Sequence, residues 1–238
     1  MDAYSLRSVI GRGAVMDEQP PLGRATPPLQ SASAVLVRIT ARLALRHRHA
    51  FSQATVAQYV DECATLLADR ARAVQHLPVL VERFADERLR GLARARGLPG
   101  DSLPAVLFVC TENAGRSQLA GALLRSRTLG AVTVMTAGSG PAADISPVVA
   151  RLLAEQGLDT GEDFPKPLTT EVVDAADLVI TLGCADACPV RPGRRYLNWD
   201  LPDLSGLDME SARAVRNSLQ ARIDRLFTEL AAPSPSSA

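Results

Sequence analysis

The chain has 238 residues, enough for one large or two small domains, and 47% of them are hydrophobic. Its 26 basic and 26 acidic residues balance, so the composition indicates neither nucleic acid nor a membrane surface as a partner. No apolar run approaches the roughly 20 residues of a transmembrane helix, and residues 1–15 lack the apolar core of a secretory signal. We therefore expect a cytoplasmic protein whose four cysteines stay reduced and serve catalysis, redox chemistry or metal binding.

The N-terminal part of the chain divides into a leader and a helical segment. Residues 1–33 contain four prolines among glycine, serine and glutamine without periodicity, so we predict a disordered leader, with Met16 as an alternative start. Three helical patterns within residues 34–97 predict a small all-α three-helix bundle, and residues 98–103 a linker. Eleven arginines against six acidic residues make the bundle basic, which we interpret as a solvated face and not as a DNA-binding surface. Cys63, on the apolar stripe of the second helix, is expected to be a core thiol.

From residue 104 to residue 231 short apolar runs alternate with helical repeats, which is typical of an α/β domain. Helical crossovers between the runs predict a four-stranded parallel sheet covered by helices on both faces. Ligands of such sheets bind beyond the carboxyl ends of the strands. Residues 232–238 read as a disordered tail. The predicted strands are residues 105–109, 132–136, 177–182 and 196–198.

The segment between the first strand and the next helix, residues 110–117, reads Cys-Thr-Glu-Asn-Ala-Gly-Arg-Ser. Its N–H groups can converge at a helix N-terminus, where the helix dipole favours an anion. Arg116 supplies a planar fork that matches a tetrahedral oxyanion, and a Cys110 thiolate in the same field is a nucleophile. We therefore predict an oxyanion-binding loop with a nucleophile in its floor. The alternative, that Cys110 is an ordinary buried thiol, leaves Arg116 and Ser117 unexplained.

Two further groups of residues follow the later strands. Cys184 and Cys188 lie past the third strand, at the edge of the sheet where the loops converge toward Cys110. Their spacing allows a disulfide or half of a metal site, but all three histidines lie in the helical segment, so we predict a redox relay and no metal. Displacing an oxygen from an oxyanion also needs a proton donor, for which Asp200 and Asp203 are the candidates.

Together these motifs resemble the arsenate reductases built on the low-molecular-weight protein tyrosine phosphatase (phosphotyrosine phosphatase) fold. They occur in the family's order within residues 104–231, and the helical bundle resembles one fused to actinobacterial members of the family. The stretches that carry the resemblance are residues 110–117, 136–139, 178–184, 188–189 and 199–203.

The resemblance implies a role for each candidate residue. Cys110 would be the nucleophile, Arg116 the oxyanion clamp and Asp203 the general acid. Cys184 and Cys188 would be the first and second shuttle thiols. The family usually has Asp-Pro at the acid, whereas Leu204 follows Asp203 here, which keeps Asp200 as an alternative.

The resemblance also assigns the loop. Ser117 would donate to the thiolate and Asn113 would hold the shape of the loop. Glu112 puts a carboxylate in the loop that we expect to point outward, since pointing inward it would repel an anion. The oxyanion-binding residues would be Thr111, Glu112, Asn113, Ala114, Gly115 and Arg116.

The implied activity is reduction of arsenate to arsenite through a Cys110 adduct and a disulfide relay, with thioredoxin as the external thiol reductant and no bound cofactor. Three alternatives stay open: a mycothiol-dependent arsenate reductase, a low-molecular-weight tyrosine phosphatase, and an As(III)-binding regulatory protein. Phosphatases of this fold usually carry aromatic residues directly after the acid, where this chain has Leu204, Ser205 and Gly206. Because every candidate site residue follows residue 104, we expect the bundle to be dispensable for the chemistry.

Overall fold

The computed structural model describes residues 32–68, 77–99, 103–161, 163–184 and 188–231, which belong to one compact unit. The predicted tail, most of the predicted leader with Met16, and residues 100–102 of the predicted linker lie outside the described residues. No helix in the described ranges is long and apolar enough to cross a membrane.

Seven helices and four strands occur in the described part of the chain. The helices are α1 (Ala32–Arg46), α2 (Gln53–Ala68), α3 (Leu77–Ala95), α4 (Arg116–Thr128), α5 (Pro147–Ala154), α6 (Thr170–Ala175) and α7 (Met209–Ala231). The strands are β1 (Ala105–Cys110), β2 (Thr133–Gly138), β3 (Leu178–Thr181) and β4 (Arg195–Asn198).

The four strands form one parallel sheet in the order β2-β1-β3-β4, which confirms the predicted fold class. Alternate residues of β1 enter two different cores. Phe108 and Cys110 face the core that contains residues of α4, α5 and α7, while Leu107 and Val109 face the core that contains residues of α6. The pairing of β1 with β2 runs to Cys110 and Gly138, two residues beyond the predicted end of the second strand. Cys110 therefore emerges at the carboxyl edge of the sheet.

The helices α1, α2 and α3 pack around a shared apolar core, as the spacing predicts. On α2 the residues Val56, Val60, Cys63 and Leu67 recur every three to four positions and are all buried. Burial raises the pKa of the Cys63 thiol to about 11, although Arg88 acts to lower it. Cys63 is thus an inert core thiol.

The bundle shares its core and several polar contacts with the α/β part. Phe164, in the segment before α6, is buried in the bundle core with its ring edge-on to Phe84 at 6.5 Å between centroids. A buried ion pair joins Arg88 of α3 to Glu171 of α6. A Cβ on Gly91 would lie 3.3 Å from the Glu171 carbonyl oxygen, so glycine lets α3 approach α6 closely.

Candidate active site

The loop after β1 is held from outside through its carbonyl groups. The carbonyl oxygens of Thr111, Glu112 and Ala114 accept main-chain hydrogen bonds of 2.8–2.9 Å from the segment 140–146. With these carbonyls bonded outward, the loop can turn its N–H groups toward a bound oxyanion. The side chain of Glu112 is exposed, so its carboxylate points away from the loop as expected.

A close approach and a strained residue shape this loop. A Cβ on Gly138 would lie 2.6 Å from the Thr111 oxygen and 2.8 Å from the Asn113 nitrogen, so only glycine lets the loop rest on the end of β2. Asn113 is fully buried with φ +48°, a conformation that needs support from its surroundings. Its Oδ1 supplies that support by accepting hydrogen bonds from the Lys166 N–H at 2.8 Å and from Gln118 Nε2 at 3.2 Å.

The Cys110 thiol lies at the centre of this arrangement and is 3% exposed. The Asn113 N–H donates to Cys110 Sγ at 3.2 Å, and Ser117 Oγ lies 2.9 Å from the same sulfur. Asn113 Nδ2 donates to Ser117 Oγ at 2.9 Å, which leaves the serine hydroxyl proton for the sulfur. The sulfur is thus surrounded by hydrogen-bond donors and lies beside the N-terminus of α4, which carries positive partial charge.

Arg116, the first residue of α4, is buried with its guanidinium fixed on two sides. Nη1 donates to the Leu201 carbonyl at 3.0 Å, and Nη2 pairs with Asp203 Oδ2 at 2.7 Å. Gly183 lies against a third side of the guanidinium, where a Cβ would overlap Nη1. Its φ of +73° also favours glycine at this position. The guanidinium is thereby oriented before any anion binds.

Asp203 is held by both carboxylate oxygens, Oδ2 by Arg116 and Oδ1 by Ser205. The Ser205 N–H and hydroxyl donate to Oδ1 at 2.8 and 2.6 Å. Burial acts to raise the pKa of Asp203, but the Ser205 hydrogen bonds and the Arg116 charge outweigh it, so the pKa is lowered. Asp200 is exposed, and its carbonyl accepts a hydrogen bond from Arg222.

The two remaining thiols are buried on the other face of β1, and all four cysteines are free. Cys184 Sγ donates to the Val109 carbonyl at 3.2 Å, which places this thiol beside the residue that precedes Cys110. Burial raises the pKa of Cys184, and the nearby Cys110 raises it further, against lowering by a Leu182 main-chain hydrogen bond and the Arg116 charge. Burial also raises the pKa of Cys188. Residues 185–187 between the two thiols lie outside the described residues.

The chain matches two family models. Residues 36–93 match the model described as "Protein-tyrosine-phosphatase-like, N-terminal domain". Residues 105–235, more than half of the chain, match the model of the low molecular weight phosphotyrosine protein phosphatases. The chain belongs to the low molecular weight phosphotyrosine protein phosphatase family.

Within this family, the chain is similar to arsenate reductases and to a phosphatase. It is 42% identical to the solved structure of a thioredoxin-dependent arsenate reductase of Corynebacterium glutamicum, with a TM-score of 0.76 over 83% of this chain and 97% of that one. It is 32% identical to a putative arsenate reductase of Halobacterium salinarum, over 56% of this chain and 96% of the relative. It is 38% identical to a probable low molecular weight protein-tyrosine-phosphatase of Ralstonia solanacearum, over 35% of this chain and 58% of the relative.

Sequence reasoning missed four residues that support the site of this low molecular weight phosphatase family member. Gln118 carries a signal, since it is a polar residue in a run of buried apolar positions on α4. Lys166 also carries a signal, since it is the only lysine in the sequence and lies between two prolines. Gly183 and Ser205 carry no such signal, because their roles depend on contacts with Arg116 and Asp203.

One cavity lies away from the candidate nucleophile. It has a volume of about 1180 Å³ and opens between α3 and the α4–β2 side of the sheet. Its lining includes Arg83, Glu87, Arg125, Asp163 and Lys166, but not Cys110, Arg116 or Asp203. The candidate site is instead the loop after β1, whose N–H groups suit a small anion.

Replacing Arg116 by lysine should lower kcat/KM for the oxyanion substrate at least ~10²-fold, the scale of losing one preorganised donor. Lysine keeps the charge but cannot bridge Leu201, Asp203 and an anion at once. Steady-state kinetics with arsenate would measure the loss. Arg222→Lys, in a half-buried arginine that donates to the Asp200 carbonyl, is the matched control and should leave kcat/KM unchanged. A lysine variant as active as wild type would mean that the oxyanion binds elsewhere.

Proposed function

We propose that this protein is an arsenate reductase in which Cys110 attacks arsenate, Cys184 and Cys188 carry the oxidising equivalents away, and thioredoxin restores the thiols. The observation that carries the proposal is the Cys184 thiol, buried 3.2 Å from the carbonyl of Val109. A phosphatase needs one thiolate and an oxyanion loop, whereas a reductase also needs a second thiol within reach of the first. The similarity to the thioredoxin-dependent arsenate reductase of C. glutamicum supports the same conclusion.

In the first step arsenate binds the loop amides and Arg116, and the Cys110 thiolate attacks arsenic. An arsenate hydroxyl leaves as water with a proton from Asp203, which gives a Cys110–arsenate adduct. In the unliganded site the lowered pKa keeps Asp203 ionised at neutral pH. The negative charge of bound arsenate competes for Arg116 and raises that pKa, so Asp203 becomes able to hold a proton once the substrate is bound.

In the second step the Cys184 thiolate attacks Cys110 Sγ. The sulfur–arsenic bond breaks, and its electron pair stays on arsenic, which leaves as arsenite. Arsenic thus gains two electrons, and the two thiols are oxidised to the Cys110–Cys184 disulfide. Cys188 then attacks Cys184, which releases the Cys110 thiolate and forms the Cys184–Cys188 disulfide for reduction by thioredoxin.

The relay requires the Cys184 and Cys188 thiols to move, because both are buried. After Cys188 the chain is anchored, since the Tyr196 hydroxyl donates to the Pro189 carbonyl at 3.0 Å and accepts the Arg191 N–H at 2.9 Å. Before Cys184 lies Gly183, whose positive φ makes it suited to act as a hinge for that thiol.

Two observations favour a reductase over a tyrosine phosphatase and over an As(III)-binding regulatory protein. Leu204, directly after the acid, is buried and offers no aromatic surface on which a phenyl ring could stack. A regulator that trapped As(III) through thiols would have no use for Arg116, which binds an oxyanion. NADPH-coupled arsenate turnover with thioredoxin, and separately with mycothiol and its redoxin, tests the activity and the reductant together. Phosphatase activity without arsenate turnover would overturn the proposal.

Replacing Asp203 by asparagine should lower kcat by roughly 10²- to 10⁴-fold, as expected for loss of a general acid. Asparagine keeps one acceptor oxygen for the two Ser205 hydrogen bonds, but its Nδ2 cannot accept from Arg116. The guanidinium of Arg116 is still held by the Leu201 carbonyl, so the loop should keep its shape. Asp200→Asn is the matched control and should leave kcat near the wild-type value. If Asp200→Asn is the more damaging change in steady-state assays, the acid is Asp200.

A further inference from the structure

Lys166 connects the helical bundle to the catalytic loop. Its side chain is buried, 6% exposed, although no reaction step uses it. Nζ pairs with Glu87 of α3 at 2.7 Å, lies 3.7 Å from Asp163, and sits over the Phe164 ring at 5.3 Å. Glu87 is therefore an anchor on the bundle for the segment that contains Lys166.

The main chain of the same segment holds the loop. The Lys166 N–H donates to Asn113 Oδ1 at 2.8 Å, and the Phe164 carbonyl accepts from Gln118 Nε2 at 3.1 Å. The Lys166 carbonyl accepts the Gly138 N–H at 2.9 Å, so the segment also contacts the strand end on which the loop rests. A displacement of this segment would therefore displace Asn113 first.

Asn113 links the segment that contains Lys166 to the nucleophile. It is the residue with φ +48°, its N–H donates to Cys110 Sγ, and its Nδ2 orients the Ser117 hydroxyl beside the same sulfur. A residue in this conformation persists only when its surroundings fix it, and the N–H of Lys166 is one of its few partners on the side of the bundle. A continuous series of contacts thus runs from α3 to the thiol.

We propose that Glu87 and Lys166 are positioning residues for the Cys110 loop, through which the helical bundle sets the geometry of the nucleophile. The bundle is then part of the catalytic apparatus, contrary to our expectation from the sequence that it is dispensable. The inference rests on the proposed function only for the identity of the substrate. The reactivity of Cys110 itself reports on the loop whatever that substrate is.

The test is the rate at which iodoacetamide alkylates Cys110 at neutral pH, followed by mass spectrometry in the full chain, alongside kcat/KM for arsenate. Glu87→Gln and Lys166→Met should each slow alkylation and lower kcat/KM by about 2- to 30-fold, the range of mutations that act through intervening contacts. The double variant should be no slower than the worse single variant, because both changes break one link. Glu87→Asp, which keeps the carboxylate, should recover most of the rate.

If Glu87 and Lys166 acted on Cys110 only through their charges, the two variants would change the alkylation rate in opposite directions. Removing the negative charge of Glu87 would by itself favour the Cys110 thiolate and speed alkylation, whereas removing the positive charge of Lys166 would slow it. Opposite effects of Glu87→Gln and Lys166→Met would therefore overturn the proposal. So would a wild-type rate in Glu87→Gln, whose partly exposed position on α3 makes the variant safe for folding.

Glu171→Gln is the matched control for general loosening of the bundle. It breaks the buried pair with Arg88, which also joins α3 to the α/β part, but its partners Arg88 and Tyr59 lie in the bundle and not at the loop. This variant should lower the melting temperature and leave Cys110 alkylation unchanged. If Glu171→Gln slowed Cys110 alkylation as much as Glu87→Gln does, the slowing would follow from lost stability alone, and the proposal would be overturned. If wild type fails to reduce arsenate but the alkylation pattern holds, the proposed function fails and the positioning role stands.

Discussion

Replacing Cys110 by serine should abolish arsenate reduction, with a loss of at least about 10⁴-fold as for removal of a catalytic nucleophile. The serine hydroxyl fits the same space between the Asn113 N–H and Ser117, so the fold should survive. A hydroxyl in this site stays protonated and is a far weaker nucleophile than a thiolate. A thioredoxin-coupled assay and a thermal melt of the same sample would measure both effects.

The matched control for Cys110→Ser is Cys63→Ala, which removes a thiol that is equally buried but lies in the bundle core. It should cost stability through the small cavity it leaves and retain turnover. Arsenate reduction above the buffer blank by pure Cys110→Ser would exclude Cys110 as the nucleophile. Loss of activity in Cys63→Ala at a temperature where it is folded would mean that thiol loss in general, and not the loop, explains the result.

The loop could be predicted from the sequence because its chemistry is contiguous. Cys110, Arg116 and Ser117 lie within eight positions between an apolar run and a helical repeat, so local geometry alone brings them to one point. The sheet could also be predicted, because four short apolar runs separated by helical repeats allow few arrangements of strands. Family membership confirms the resemblance on which the finer expectations rested.

The supporting contacts could not be predicted, because they join residues far apart in the chain. Arg116 meets Asp203 across 87 positions, and Lys166 meets Glu87 across 79. No periodicity in the sequence encodes such a pair, and the need for glycine at position 183 arises only once Arg116 fills the adjacent space. The same holds for the two faces of β1, where the structure separates Cys184 from the core that holds Cys110 although both follow the carboxyl ends of strands.

Replacing Cys188 by serine should separate release of arsenite from turnover. The variant should still release one arsenite per molecule, because Cys184 can close on Cys110 without it. Cycling with thioredoxin should then stop, since the Cys110–Cys184 disulfide stays beside the buried loop. Disulfide exchange requires the attacking thiolate to reach a sulfur, so burial alone is enough to block thioredoxin.

The disulfide that forms distinguishes this relay from reduction by an external thiol. Mass spectrometry after one equivalent of arsenate should find Cys184–Cys188 in wild type and Cys110–Cys184 in Cys188→Ser. Because burial raises the pKa of both shuttle thiols, their thiolate fractions are small at neutral pH, and in wild type the transfer of the disulfide should speed up as the pH rises. Cys63→Ala should form the wild-type disulfide with the wild-type pH dependence. Normal thioredoxin-coupled cycling by Cys188→Ser would exclude Cys188 from the relay and transfer its role to a thiol from solution, such as mycothiol.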